Sequence, residues 1–231
     1  MEPALTALQQ VLHINDECFL LNACSTLYNI SDGTKENIQS FIDAGLVPRL
    51  VQFLGNDSPA VLDPAIGTIM QLTNGDIQQT NVVIECGVLP VLANLLTQHG
   101  FRKRQNLRRD ACWTISNITA GTEEQIQSVI DANLIPTLIN LAQNAEIDIK
   151  EEEAVWAISN AASGGSHDQI RYLVEQGCIK PLRVFLVCPY SRTILKCLDG
   201  LENILRSGEA GNYYSQLIEG LDKIENLQYH E

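Results

Sequence analysis

The chain repeats itself with a period of 40-odd residues, and no other property of the sequence restricts its fold as strongly. Four segments carry a small residue followed by apolar positions around a proline: AGLVPRLVQFL, CGVLPVLANLL, ANLIPTLINLA and QGCIKPLRVFL. Their aligned small residues are Gly45, Gly87, Asn133 and Gly177, at steps of 42, 46 and 44. A second series keeps the same beat: Asn29, Gln71, Asn117, Asn160 and Asn203, with a glycine after each at Gly33, Gly75, Gly121, Gly164 and Gly208. A self-similar unit of this length with helical patterning cannot bury its apolar face alone. It stacks on its neighbours as a solenoid.

Each repeat reads as three helices. The first is short, as in TEEQIQSVIDAN, and opens on a threonine and two acids suited to a helix N-terminus. The second follows the proline, as in IPTLINLAQNA, with the proline expected at the first helical position. The third is longer, as in IKEEEAVWAISNAAS. Alternation of period two never lasts beyond a few residues, so strands find no support. The expected fold class is all-α, a solenoid of armadillo or HEAT type forming one domain over 1–231. A partial repeat (1–33) precedes full repeats at about 34–75, 76–121, 122–164 and 165–208, and a partial repeat (209–231) closes the array. Pro3 matches Pro48, so the chain opens at a second helix, and YYSQLIEGLDKIENLQYHE supplies a first and second helix with no third. Neither end has the polar capping repeat of a finished solenoid. The expectation is a piece of a longer array, prone to self-association or only marginally stable.

Composition narrows the function. Hydrophobic residues make up 45% of the chain and aromatics only 6%, so the core must be built from Leu, Ile, Val and Ala. A formal charge of −13 disfavours nucleic acid and favours a basic partner. No apolar run reaches the roughly 18 residues of a membrane span, and the start, MEPALTALQQ, lacks the basic region of a secretory signal. Seven cysteines without CxxC spacing point to a reduced, intracellular chain with no metal site or disulfide, and Cys24 and Cys112 share a place that reads as small and buried. His13, His99, His167 and His230 occupy non-equivalent positions, and no nucleophile elbow, phosphate loop or metal spacing appears, so neither catalysis nor a cofactor is expected. HGFRKRQNLRRD packs five of the fifteen basic residues into 102–109 and reads as a solvated loop between helices.

The only two tryptophans sit in one local pattern, RRDACWTISNITAG and EEEAVWAISNAASG, 43 residues apart. Residues three and four apart share a helix face, so Asp110, Trp113 and Asn117 form one stripe, and Glu153, Trp156 and Asn160 another. Stacked repeats would set the stripes side by side at roughly 10 Å, which an extended peptide spans in about three residues. Each asparagine offers a donor and an acceptor to a peptide backbone. The indoles would flank a slot for a long aliphatic stem, and a cation over such a ring gains roughly 0.5–2 kcal/mol. The acids would take the cationic head, with Glu151 and Glu152 left to solvent. The competing reading puts Trp and Asn in the core. Burying an unpaired amide in repeat after repeat is costly, so exposure on a binding face is the better expectation.

From RRDACWTISNITAGTEEQIQSVIDANLIPTL through EEEAVWAISNAASGG and IRYLVEQGCIKPL to LDGLENIL, the sequence resembles the C-terminal armadillo repeats of the importin-alpha (karyopherin-alpha) family. The resemblance implies a right-handed superhelix whose concave groove binds lysine- and arginine-rich nuclear localisation signals, in a protein of cytoplasm and nucleus. It implies that Trp113, Asn117, Trp156 and Asn160 form a groove of the minor-site type, with Asp110 and Glu153 supplying charge and Asn29 and Asn203 standing at further asparagine positions. Departures erode the array. Ser25 stands where a Trp is usual, Gln71 replaces an Asn, Gly67 an Arg, and Lys196 and Asp199 stand where an acid and a Trp are usual. No segment resembles the basic importin-beta-binding region or the early repeats, so docking to importin-beta and autoinhibition by that segment are not expected. Contacts with the export receptor are doubtful for the same kind of reason, because the last repeat is cut short. Two rivals keep the fold: a degenerate copy that binds weakly or not at all, and a scaffold for an acidic partner.

Overall fold

The computed structural model describes residues 2–14, 16–31, 34–97, 105–143 and 152–211. Those residues form fourteen α-helices and a turn of 3-10 helix, with no strand among them. They fall into two compact units, Met1–Ile118 and Thr119–Glu231. The first unit holds α1 (Glu2–Val11), α2 (Glu17–Ser31), α3 (Lys35–Asp43), α4 (Val47–Phe53), α5 (Pro59–Leu72), α6 (Ile77–Glu85), α7 (Val88–Thr97) and α8 (Gln105–Thr119). The second holds α9 (Glu123–Asp131), α10 (Leu134–Gln143), α11 (Glu152–Gly164), α12 (His167–Glu175), α13 (Ile179–Val184), the 3-10 turn Phe185–Val187 and α14 (Ser191–Gly211).

Short, short and long helices recur in that order, and the long third helices of neighbouring repeats pack on each other. In the first unit α2 lies against α5, and in the second α11 lies against α14. Leu46, Leu50, Leu54, Leu62, Ile66 and Ile69 are fully shielded in the first core, and Leu134, Leu138, Ile158, Leu173, Leu182 and Ile204 in the second. All seven cysteines are free thiols, and Cys24 and Cys112 are buried as their shared position implied. Burial raises the Cys24 thiol to about 11 and the Cys178 and Cys197 thiols to about 12. No single helix among the described residues is long and apolar enough to cross a membrane.

The four aligned small residues have one cause. Gly45, Gly87, Asn133 and Gly177 adopt φ of +65°, +81°, +55° and +90°. Each ends a first helix in the left-handed region that glycine and asparagine tolerate. Gly45 N–H donates to Ile42 and Leu46 N–H to Phe41, the paired bonds of a Schellman closure, and Gly177 and Cys178 repeat them on Val174 and Leu173.

The prolines sit one or two places later than expected. Pro48 is the second residue of α4, and Pro90, Pro136 and Pro181 are the third residues of α7, α10 and α13. The left-handed residue already turns the chain, so the apolar residues before proline join the helix. First-turn N–H groups have no intrahelical acceptor, so proline costs no bond at any of these places. The basic stretch also differs from the expected loop, because Arg108 and Arg109 belong to α8. Arg102, Lys103 and Arg104 lie outside the described residues, as does most of the closing partial repeat.

A glutamine helps to fix three of the four first helices. Asp76 and Gln79, Thr122 and Gln125, and Ser166 and Gln169 form reciprocal capping boxes at the starts of α6, α9 and α12. Gln79 Nε2 also donates to the Lys35 carbonyl (2.9 Å) and Gln39 Oε1 (3.2 Å) of the preceding repeat. Gln169 Nε2 does the same to the Glu123 carbonyl (2.9 Å) and Gln127 Oε1 (3.0 Å).

Candidate functional site

In the first unit the expected stripe lies on α8. Ala111, Cys112, Ile115 and Ile118 turn into the core, which leaves Asp110, Trp113 and Asn117 on the other side. Trp113 is 41% exposed. Asn117 is half-buried, and its Nδ2 donates weakly to the Met70 carbonyl (3.4 Å) and Thr73 Oγ1 (3.3 Å) on α5 and its C-cap. One end of this amide therefore anchors α8 to the previous third helix. Asp110 differs from the expected free acid: Arg109 Nε and Nη2 both donate to its Oδ1, at 3.0 and 2.8 Å. The carboxylate is already neutralised by its neighbour. Asn29 is exposed on α2, and the Tyr28 ring beside it lies across Gly67, where an added Cβ would come within 2.6 Å of a ring carbon. Absence of a side chain at Gly67 is what admits the ring.

The stripe of the second unit is more enclosed than the sequence suggested. Trp156 is half-buried and its Nε1–H donates to Oγ1 of the buried Thr193 at 3.2 Å. The Arg192 guanidinium stands 5.0 Å from the centre of the indole. Asn160, expected to be exposed, is only 8% exposed, and its Oδ1 accepts from Lys196 Nζ at 3.0 Å. The objection to burying such an amide was the lack of a partner; α14 supplies one. Glu153 is half-buried. Glu152, expected to face solvent, is half-buried too. Burial pushes its carboxyl above the ordinary range, against the opposing pull of the Trp156 N–H and the Arg192 charge. Asn203 turns its Nδ2 back to the Asp199 carbonyl of its own helix (2.9 Å).

Sequence reasoning thus placed the Trp and Asn stripes but missed the groups that face them: Arg109, Thr73, Thr193, Arg192 and Lys196. One signal was present. Lys196 stands at the acid position of its repeat, so a cation there reverses the sign that α8 and α11 carry with Asp110 and Glu153.

Helix triplets whose first helices end on left-handed residues, with Trp and Asn stripes on two of the third helices, define a class. The chain belongs to the armadillo-repeat family: the family model for the Armadillo/beta-catenin-like repeat matches residues 34–73, 76–120, 122–163 and 166–206. Over its full length it is similar to plant importin alpha subunits. It is 54% identical to importin subunit alpha-8 of Arabidopsis thaliana across 100% of this chain and 54% of that protein. It is 53% identical to importin subunit alpha-1b of Oryza sativa subsp. japonica across 100% of this chain and 45% of that one. The chain spans about half the length of the curated relatives it matches. Among solved structures, the designed armadillo repeat protein YIII(Dq)4CqI superposes with a TM-score of 0.82 at 30% identity, over 96% of this chain and 87% of that one. A second design, YIII(Dq.V1)4CPAF, solved in complex with the peptide (KR)4, gives 0.80 at 31% identity over 98% and 92%.

Proposed function

We propose that this chain binds extended peptides rich in Lys and Arg, as a cargo-binding part of a nuclear import adaptor. The observation that carries the reading is the Trp113 indole, 41% exposed on α8 with Asn117 one turn further on. An open ring offers a face to an aliphatic stem and its charge, and the nearby amide can grip a peptide backbone whatever its sequence. Two likenesses support it: relatives that are importin alpha subunits, and a designed neighbour that was solved with (KR)4. Asp110, Asn29, Glu153, Trp156, Asn160 and Asn203 are the further candidates for peptide contact. The reading is non-catalytic, involves no cofactor, and places the chain in traffic between cytoplasm and nucleus.

The test is a titration of fluorescent (KR)4 with the full chain, followed by anisotropy. Removing the ring by Trp113→Ala should weaken binding about tenfold, the equivalent of about 1.4 kcal/mol and within the range of a partly desolvated cation–ring contact. A Trp113→Ala chain that binds as well as the wild type would move the site elsewhere. A folded wild type that ignores the peptide would leave a scaffold role in place of the adaptor.

A further inference from the structure

The two stripes differ in one respect that bears on what they can hold. Trp156 and Asn160 are one turn apart on α11, and Arg192 and Lys196 are one turn apart on α14. The pairs face each other: the guanidinium lies over the indole at 5.0 Å, and the ammonium sits on the amide oxygen at 3.0 Å. These are the two contacts that a basic peptide side chain would seek here, a ring face and an amide acceptor.

The helices are built to keep that alignment. Gly200 lets α14 approach so closely that an added Cβ would lie 2.8 Å from Ser159 Oγ and 3.3 Å from Ser159 Cα. Ser159 Oγ donates to the Lys196 carbonyl, which sets the lysine beside the next residue of α11, Asn160. One turn back, the Thr193 hydroxyl takes the Trp156 N–H, which fixes the indole edge next to Arg192. Glu152 adds a carboxylate whose charge Arg192 favours.

We infer that Arg192 and Lys196 fill the Trp156–Asn160 stripe in cis and turn it against peptide Lys and Arg. The inference rests on the peptide-binding reading and refines it: recognition of basic residues falls to the open Trp113, and the second stripe takes a cation only after its own have been displaced. An incoming lysine would find the ring and the amide in use, and would meet two charges of its own sign. Lys196 is then a specificity-determining residue, and its removal opens a second cation site.

The test is a double-mutant cycle with fluorescent (KR)4. Lys196→Met keeps an unbranched stem and removes the charge, and Lys196→Ala removes both. Each should tighten binding about fivefold. Trp156→Ala should change binding less than twofold in the wild type but cost about fivefold in an Arg192→Met/Lys196→Met background, because only there are both the ring and the amide free to meet the peptide. Circular dichroism and melting would confirm that each variant folds. A Lys196→Met chain no tighter than a wild type whose binding needs Trp113 overturns the inference and leaves the peptide-binding reading intact. Binding by Lys196→Met but not by the wild type supports the inference and confines the reading to the freed chain. Binding by neither overturns both. A measurement without peptide uses Trp113→Phe, which leaves Trp156 as the single tryptophan, excited selectively over the tyrosines. Measured against free indole, iodide should be favoured over caesium in that background, and the preference should fall in Arg192→Met. A preference no greater than that of free indole would show that no positive charge sits at the ring.

Discussion

Gly200 decides how closely α14 can lie on α11. Glycine inside a helix ordinarily costs roughly 0.5–1 kcal/mol relative to alanine, so alanine would be an improvement if space allowed. Here the new methyl would meet Ser159, which is fully shielded, and one of the atoms it meets is backbone Cα. Backbone cannot swing aside, so the helices must part. Overpacking of this kind costs about 1–3 kcal/mol, which outweighs the gain in helix propensity. Gly200→Ala should lower the melting temperature by a few degrees and loosen Lys196 from Asn160, raising the affinity for (KR)4. A variant that melts higher than the wild type would show that α11 and α14 have slack. At Gly67 the obstacle is the far end of Tyr28, itself 41% exposed. The ring can rotate away, so an equal substitution there should be tolerated.

The glutamines matter at the scale of the helix. Gln169 is 7% exposed, closes the box at the start of α12, and donates to α9 of the preceding repeat. Gln169→Ala would lose the cap bond to Ser166 N–H and both bonds to α9. At about 0.5–1.5 kcal/mol net per bond, the loss is roughly 2–3 kcal/mol. It should appear as faster amide exchange in the first turn of α12, with several degrees lost on melting at roughly 2–4 °C per kcal/mol. Unchanged exchange there would assign the cap to Ser166 alone. The triplets, the left-handed closures and the third-helix stripes were legible in the sequence, because each repeats and repetition exposes a shared geometric demand. The capping signal was legible too, as Asp76, Thr122 and Ser166 each precede a glutamine by three residues. Partners such as Lys196 were not legible. The period says that α14 lies against α11, yet whether a long side chain reaches an amide 36 residues away depends on how far Gly200 lets the helices close.

At the scale of the molecule, charge governs the encounter. A chain of net charge −13 attracts a basic peptide before any contact forms. That attraction reaches about 10 Å at 0.1 M salt and about 3 Å at 1 M. Association with (KR)4 should therefore slow about tenfold over that range, while the dissociation rate, set by ring and amide contacts, changes little. A rate of association flat in salt would give the encounter to stacking alone. The doubled duty of Gln79 and Gln169 reaches further still. Each side chain closes its own helix and bonds the first carbonyl of the equivalent helix one repeat before it. At these two junctions, α6 on α3 and α12 on α9, one side chain therefore ties the start of a helix to the start of the equivalent helix one repeat earlier.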